Sequence, residues 1–270
     1  MKTRIIAAAV LIPVLLILVL AAPKILAALV MGVLMSIGAY ELLYGTGLVT
    51  HPRLVIYSAV MAFAVAMWSY AGAVHAYAVL GLLIFVMILF GEMMINHVKV
   101  RFSAISASLV AGVVVPYLLT ALIRILTMKI GRYVIMVPFV VAFMNDAGAY
   151  FAGLKFGKHK LAPVVSPNKT IEGVFGGMAA AVVGMLIYCL ILHLADFYVN
   201  MGLALVYGVL GSAAGVFGDL CFSIIKRQTG IKDYGNLIPG HGGVLDRFDS
   251  LMTVAPLMEV LLLILPFAVG

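Results

Sequence analysis

Residues 174–195 read VFGGMAAAVVGMLIYCLILHLA and contain no lysine, arginine, aspartate or glutamate. A helix needs about 20 apolar residues to cross the hydrocarbon core of a bilayer, so this run is long enough to span one. The rest of the chain is similar, with 65% hydrophobic and 10% charged residues, whereas soluble domains carry roughly 25% charged residues. A soluble fold would expose large apolar patches, so the sequence predicts a protein embedded in a membrane.

Apolar runs of similar length lie on both sides of 174–195 and predict an all-α, polytopic transmembrane helix bundle with about nine spans. We expect one integral membrane domain over 1–270, in which 1–133 supplies N-terminal helices and 134–270 carries the polar motifs. The candidate spans are about 5–21, 25–45, 54–72, 73–93, 103–126, 134–156, 174–195, 203–226 and 248–268.

The basic residues fall mainly on one side of these spans. With the N-terminus in the cytoplasm, the outer segments hold only Lys24, Arg124, Lys129 and Arg132 of the 17 lysines and arginines. Cytoplasmic loops of membrane proteins carry the excess of basic residues. The pattern therefore predicts that the polar loops 157–172 and 227–247 lie on the cytoplasmic side of the inner (cell) membrane.

The formal net charge of +7 suits a protein that works beside anionic lipid headgroups or phosphorylated substrates. The cations occur in short segments between apolar runs. We therefore expect membrane lipids, and not nucleic acid, as partners.

Charged residues are concentrated between Asp219 and Asp249, where the chain reads DLCFSIIKRQTGIKDYGNLIPGHGGVLDRFD. A charge near the centre of a membrane helix costs on the order of 2.5–3.5 kcal/mol, so such groups persist where they pair, bind ions or line a wet cavity. The spacing of Asp219, Ser223 and Lys226 places these three residues on one helical face.

Asp246 and Asp249 are three residues apart at the start of the last predicted helix. One of them could serve only to stabilise the positive end of that helix. Alternatively, both acids could converge with Asp219 on a divalent cation. Magnesium is the ion we expect, because it takes oxygen ligands and usually shares them with substrate phosphates.

The turn between these groups reads IPGHGG at 238–243. Glycines such as Gly242 and Gly243 let the backbone approach a phosphate closely and direct N–H groups at it. His241 could contact a phosphate, donate a proton or serve the fold alone.

A second polar cluster precedes this one. Asn145 and Asp146 lie inside a predicted span, and we expect Asp146 to face the same cavity as Asp219. The following loop reads SPNKTIEG at 166–173, where Lys169 offers a charge for phosphate and Thr170 or Asn168 could cap the next helix. The Gly173-x-x-x-Gly177 spacing could mark either a close helix contact or a dimer seam.

With these motifs the chain resembles the phosphatidate cytidylyltransferase family. Its signature resembles S-x-x-K-R-x-x-x-x-K-D-x-G-x-x-x-P-G-H-G-G-x-x-D-R-x-D, and this chain carries every fixed position. The matching residues are Ser223, Lys226, Arg227, Lys232, Asp233, Gly235, Pro239, Gly240, His241, Gly242, Gly243, Asp246, Arg247 and Asp249. The chain departs from many members at Phe222, where they carry an acid.

The resemblance implies a reaction in which CTP and phosphatidic acid give CDP-diacylglycerol and pyrophosphate, with Mg²⁺ as cofactor. A second cation and a homodimer are left open. The catalytic residues we expect are Asp219, Lys226, Asp246 and His241. The substrate-binding residues we expect are Ser166, Asn168, Lys169, Ser223, Arg227, Lys232, Gly242, Gly243 and Arg247. The metal ligands we expect are Asp219, Asp246, Asp249 and Asp146.

Two other functions are compatible with the polar residues. A CTP-dependent kinase acting on a polyprenol or diacylglycerol would use similar metal and nucleotide contacts but transfer the γ-phosphoryl group. A membrane transporter would place acids at the centres of several spans. The acids here gather at one end of the spans, which disfavours the transporter.

Overall fold

The computed structural model describes residues 9, 13–72, 75–237, 240 and 242–269. Seven long helices in this part of the chain are α1 (Lys24–Gly45), α2 (Pro52–Ala71), α3 (Ala76–Ile95), α4 (Phe102–Thr127), α5 (Gly131–Phe156), α6 (Ile171–Leu194) and α7 (Met201–Gln228). Two short helices follow, α8 (Leu245–Phe248) and α9 (Leu251–Ile264). The seven long helices are long and apolar enough to cross a membrane, which confirms the prediction of an all-α, polytopic integral membrane protein.

Two long helices contain a turn of π-helix. In α1 it covers Glu41–Gly45, and in α4 it covers Val110–Val114. A separate π turn at Ile17–Ala21 precedes α1. Turns of this kind are frequent at functional sites, and the one in α1 carries a buried glutamate.

Two short antiparallel strand pairs complete the described part of the chain. Strand β1 (Lys160–Ala162) pairs with β2 (Ser166–Thr170), so the predicted cytoplasmic loop before α6 is a hairpin. Strand β3 (Tyr198–Val199) pairs with β4 (Ala268–Val269).

The seven long helices confirm the second to eighth predicted spans, whereas the first, 5–21, falls mostly outside the described residues. The prediction of one spanning helix over 248–268 is wrong. The chain turns at Asp249 and Ser250, and α9 then has 14 residues. At 1.5 Å per residue it is about 21 Å long, less than the roughly 30 Å of the hydrocarbon core. Pro266 follows directly and disfavours helical backbone at Leu265.

The chain divides into two compact units. The first unit comprises Met1–Thr127 and Gln228–Phe248, and the second comprises Met128–Arg227 and Asp249–Gly270. In the first unit, α1 packs along α2. The helices of this unit differ widely in how far they are buried. In α4, 61% of the apolar window is buried within the protein, whereas in α3 only 17% is buried.

In the second unit, α5 and α6 pack closely along their length. A Cβ atom at Gly177 would lie 2.6 Å from Asn145 Oδ1, and one at Gly173 would lie 3.0 Å from the Ala149 carbonyl oxygen. The Gly173-x-x-x-Gly177 motif therefore marks a close helix contact inside the chain. A homodimer stays a prediction that this motif does not support.

Candidate functional site

The second unit brings two of the predicted site residues into an ion pair. Lys169 Nζ on β2 contacts Asp219 Oδ2 on α7, and both side chains are partly buried. Ser223 Oγ donates a hydrogen bond of 3.1 Å to Asp219 Oδ1. The predicted shared helical face of Asp219 and Ser223 is confirmed, and each oxygen of the carboxylate has a partner.

The β1–β2 hairpin that carries Lys169 is fixed at several points. Thr170 Oγ1 accepts a hydrogen bond of 3.1 Å from the Gly173 amide at the start of α6, which confirms Thr170 as the cap. Glu172 accepts the backbone amides of Lys158 and His159. Arg227 Nε donates to the Val165 carbonyl oxygen at 3.1 Å. Arg227, predicted to bind substrate, thus also joins the end of α7 to the hairpin.

Asp249 lies beside α7 because that helix has glycines at the contact. A Cβ atom at Gly218 would lie 2.7 Å from the Asp249 carbonyl oxygen and would overlap with Thr253 Oγ1. The Thr253 hydroxyl also donates to the Ala214 carbonyl oxygen at 2.6 Å. The missing side chain at Gly218 therefore lets the 249–250 turn rest on α7 next to Asp219.

The carboxyl group of Asp249 is affected by two other carboxylates of this unit. Burial raises the pKa of the Asp249 carboxyl to about 7, and repulsion from Asp219 and, more weakly, Asp146 acts in the same direction. The Ser250 amide and the charge of Lys226 act against this rise in pKa. Burial and the two neighbouring carboxylates therefore outweigh the stabilisation of the Asp249 charge by Ser250 and Lys226.

Asn145 connects α5 to α7 next to Asp146. It is 3% exposed, and its Oδ1 accepts a hydrogen bond of 2.6 Å from Ser212 Oγ. Its Nδ2 donates to Asp146 Oδ1 at 3.4 Å, and Asp146 itself is exposed. Asn145 therefore both joins two helices and orients a candidate ligand.

The candidates between Gln228 and Phe248 belong to the first unit. Asp246 is buried, and its Oδ2 accepts the amides of Tyr234 and Gly243 at 2.8 and 3.0 Å. Asp246 thus shapes the glycine-rich turn, a role that the sequence did not reveal. Lys232 and Arg247 are exposed, and His241 lies outside the described residues. The convergence of Asp246 with Asp219 stays a prediction.

Whether a magnesium ion fits this site depends on the side-chain ligands that the site offers. No group of three or more His, Cys, Asp or Glu side chains in the described ranges could enclose a metal. Magnesium, however, is usually bound by one or two carboxylates together with substrate phosphates and water. Asp219 and Asp249, two carboxylates close enough for the charge of Asp219 to raise the pKa of Asp249, fit an ion of that shared kind.

Two residues outside the predicted site have structural roles. Phe222, the departure from the family pattern, is 1% exposed and belongs to the core. Glu41, which no motif includes, binds backbone amides of the glycine-rich segment. Its sequence signal was a single acid inside an apolar run.

A family model described as "Cytidylyltransferase family" matches residues 2–265, nearly the whole chain. The chain belongs to the cytidylyltransferase family. All residues of both polar clusters fall inside the matched range.

Curated relatives in the cytidylyltransferase family share close to half of the aligned residues. Phosphatidate cytidylyltransferases of Staphylococcus haemolyticus (strain JCSC1435), Staphylococcus epidermidis (strain ATCC 35984) and Staphylococcus aureus (strain COL) are 46%, 45% and 44% identical to this chain. Each alignment covers 133 residues, which are 49% of this chain and 50% of the relative. The match thus spans about half the length of these relatives.

Proposed function

We propose that this protein transfers the cytidylyl group of CTP to phosphatidic acid and releases pyrophosphate, a step of phospholipid biosynthesis. The observation that carries the proposal is the pairing of Lys169 with Asp219 beside Asp249, in a chain of this family. The names of the Staphylococcus relatives supply the substrate pair.

The reaction needs alignment and charge balance. An oxygen of the lipid phosphate attacks the α-phosphorus of CTP, a new P–O bond forms, and the bond to the β-phosphate oxygen breaks. Pyrophosphate leaves with the electron pair, so no covalent intermediate with the protein is required. The protein must hold two polyanions in line and stabilise developing charge.

The side chains of the second unit suit these tasks. Lys169 stands on a fixed hairpin and can exchange its contact with Asp219 for a phosphate. Lys226 and Arg227 lie in the last turn of α7. Asp219 and Asp249 would hold Mg²⁺, which supplies charge neutralisation at the nucleotide phosphates. Asp146 and Asp246 are further candidate ligands, and a second cation is part of the proposal.

The remaining predicted residues would act on the substrates. We assign phosphate contacts to Lys232, Arg247 and the Gly242 amide, and a close approach of the backbone to phosphate at Gly243, whose own amide binds Asp246. We assign proton donation or phosphate contact to His241, and nucleotide contacts to Ser166, Asn168 and Ser223. We place this site at the cytoplasmic face of the inner membrane, supported by the distribution of basic residues. CTP would enter from water, and the lipid would enter from the leaflet.

The test uses purified protein in phosphatidic acid vesicles with magnesium and CTP labelled separately at the α- and γ-phosphates. We expect the α-label in the lipid product, the γ-label in pyrophosphate, and no product after chelation of magnesium. Transfer of the γ-label to a lipid with release of CDP would identify a kinase. Movement of a solute without CTP turnover would identify a transporter, and either result would overturn the proposal.

A further inference from the structure

Glu41 is a buried acid in the first unit that the proposed chemistry does not use. It is 4% exposed and stands in the π turn of α1. Its Oε1 accepts the Val244 amide and its Oε2 accepts the Leu245 amide, each at 2.9 Å. Both carboxylate oxygens therefore bind the backbone at the start of α8.

Two glycines of the loop make room for this carboxylate. A Cβ atom at Gly235 or at Gly243 would overlap with Glu41 Oε1. Both glycines belong to the segment that carries the predicted phosphate-binding turn. The segment and the acid therefore fit each other closely, and neither glycine can be replaced without displacing the carboxylate.

One face of α1 is shaped for the same segment. Gly38, Glu41 and Gly45 have the spacing of a single helical face. A Cβ atom at Gly38 would lie 3.1 Å from a methyl carbon of Leu245, and one at Gly45 would lie 2.6 Å from the Tyr234 carbonyl oxygen. Because Gly38 and Gly45 have no side chains, the loop segment can lie directly against α1 on either side of Glu41.

Glu41 and Asp246 together accept the backbone amides of the turn, and Asp246 also accepts one from outside it. Glu41 accepts those of Val244 and Leu245, while Asp246 accepts those of Gly243 and Tyr234. Three consecutive amides, at 243, 244 and 245, are therefore bound by buried carboxylates. Hydrogen bonds to a charged acceptor are stronger than those between neutral groups, so this arrangement fixes the backbone of the turn.

We propose that Glu41 is a positioning residue that holds the 242–247 turn in its working shape. It acts through the backbone of Val244 and Leu245 and touches no reacting atom. Its effect on turnover rests on the proposed cytidylyl transfer, whereas its hold on the turn is independent of that function.

The variant Glu41→Gln tests this role with little change of volume. The amide oxygen of glutamine can accept one of the two backbone amides, but its NH₂ group cannot accept the other. We expect kcat to fall roughly tenfold to a hundredfold while the KM for CTP and for phosphatidic acid changes less than about threefold. Hydrogen–deuterium exchange of peptides covering 242–248 should become faster.

The matched control is Glu92→Gln, a second buried glutamate near the end of a long helix in the same unit. Glu92 accepts a hydrogen bond of 2.7 Å from Asn96 Nδ2. We expect it to keep the wild-type kcat and the exchange rate of the 242–248 peptides. If Glu41→Gln does not fold, Glu41→Asp gives the second measurement, since it keeps the charge but shortens the side chain by one methylene.

The outcomes separate the two proposals. Faster exchange at 242–248 with unchanged kcat would overturn the positioning role, and so would unchanged exchange. If Glu41→Gln and Glu92→Gln lose kcat to the same extent, the loss reflects a general effect on the fold. That result would also overturn the positioning role. Wild-type protein that makes no CDP-diacylglycerol but shows Glu41-dependent protection would overturn the proposed function and leave the hold on the turn standing.

Discussion

Lys169 and Asp219 show how single residues prepare the proposed site. The lysine is not an isolated surface charge. It stands on a hairpin fixed by Thr170 and Glu172, and it pairs with the Asp219 carboxylate on α7. An ammonium held near a developing phosphate charge contributes mainly to the transition state.

Replacing Lys169 by alanine should lower kcat/KM for CTP about a hundredfold, since a preorganised cation is lost. The control is Lys158→Ala, which removes an exposed lysine of the same loop and should be tolerated. Steady-state assays of the two purified variants measure this difference. Equal activity of both would remove Lys169 from the site, and equal loss would extend the site along the loop.

Asp249 should make the metal-free protein less stable as pH rises. Its folded pKa is raised to about 7 by burial and by Asp219, so the folded state binds the proton more tightly than the unfolded state. The stabilisation is therefore present at low pH and lost as pH rises through about 7. With a chelator present, we expect the thermal midpoint to fall between about pH 4 and 7, from the ordinary pKa of an aspartate to the raised pKa in the fold, in the wild type but not in Asp249→Asn.

Magnesium should restore this stability at the higher pH, because an ion that binds only the folded state raises its stability by mass action. The recovery should be small or absent in Asp249→Asn. An identical response of both proteins to magnesium would exclude Asp249 as a ligand.

At the scale of elements, local sequence predicted some contacts well. The pairing of Asp219 with Ser223 followed from helical spacing, and long apolar runs marked α1 to α7. The partners of Glu41 are more than 200 positions away in the chain, so no local pattern contained them. The placement of Asp249 against α7 depends on Gly218, whose role is visible only when α7 meets the 249–250 turn. The end of α9 was predicted too late because hydropathy does not register the effect of Pro266.

Gly218→Ala should therefore disturb the site through packing. The added methyl would overlap with Thr253 Oγ1 and lie 2.7 Å from the backbone oxygen of Asp249. We expect a loss of about 1–3 kcal/mol in stability together with reduced turnover.

A matched substitution is Gly91→Ala in α3, where an added Cβ meets nothing within 4 Å. Alanine is favoured over glycine in a helix interior by up to about 1 kcal/mol, so this variant should be as stable as the wild type or more so. Thermal unfolding and turnover of the pair give the comparison. A Gly218→Ala protein as stable and active as Gly91→Ala would contradict the packing argument.

At the scale of the whole molecule, the signature at 219–249 is divided between the two units. The chain passes from the second unit to the first after Arg227 and returns after Phe248. Helix content and span positions could be read from hydropathy, whereas this division could not, because it depends on contacts between distant segments.

The orientation in the membrane can be checked on intact cells with a membrane-impermeant maleimide. In a background without Cys189 and Cys221, we expect Lys158→Cys and Lys232→Cys to react only after permeabilisation. Lys129→Cys should react from outside, since the basic residues predict that it faces outward. Labelling of Lys232→Cys in intact cells would reverse the orientation and move the proposed site away from cytoplasmic CTP.

The sparse burial of α3 has a practical consequence for every experiment above. Because only 17% of its apolar window is covered by the protein, we expect this helix to have acyl chains as its principal neighbours. Exchanging the bilayer for detergent replaces almost its whole environment, while α4 keeps most of its packing partners. Preparations in lipid nanodiscs should therefore preserve α3 better than micelles, and a difference in thermal midpoint between the two media would report on this helix first.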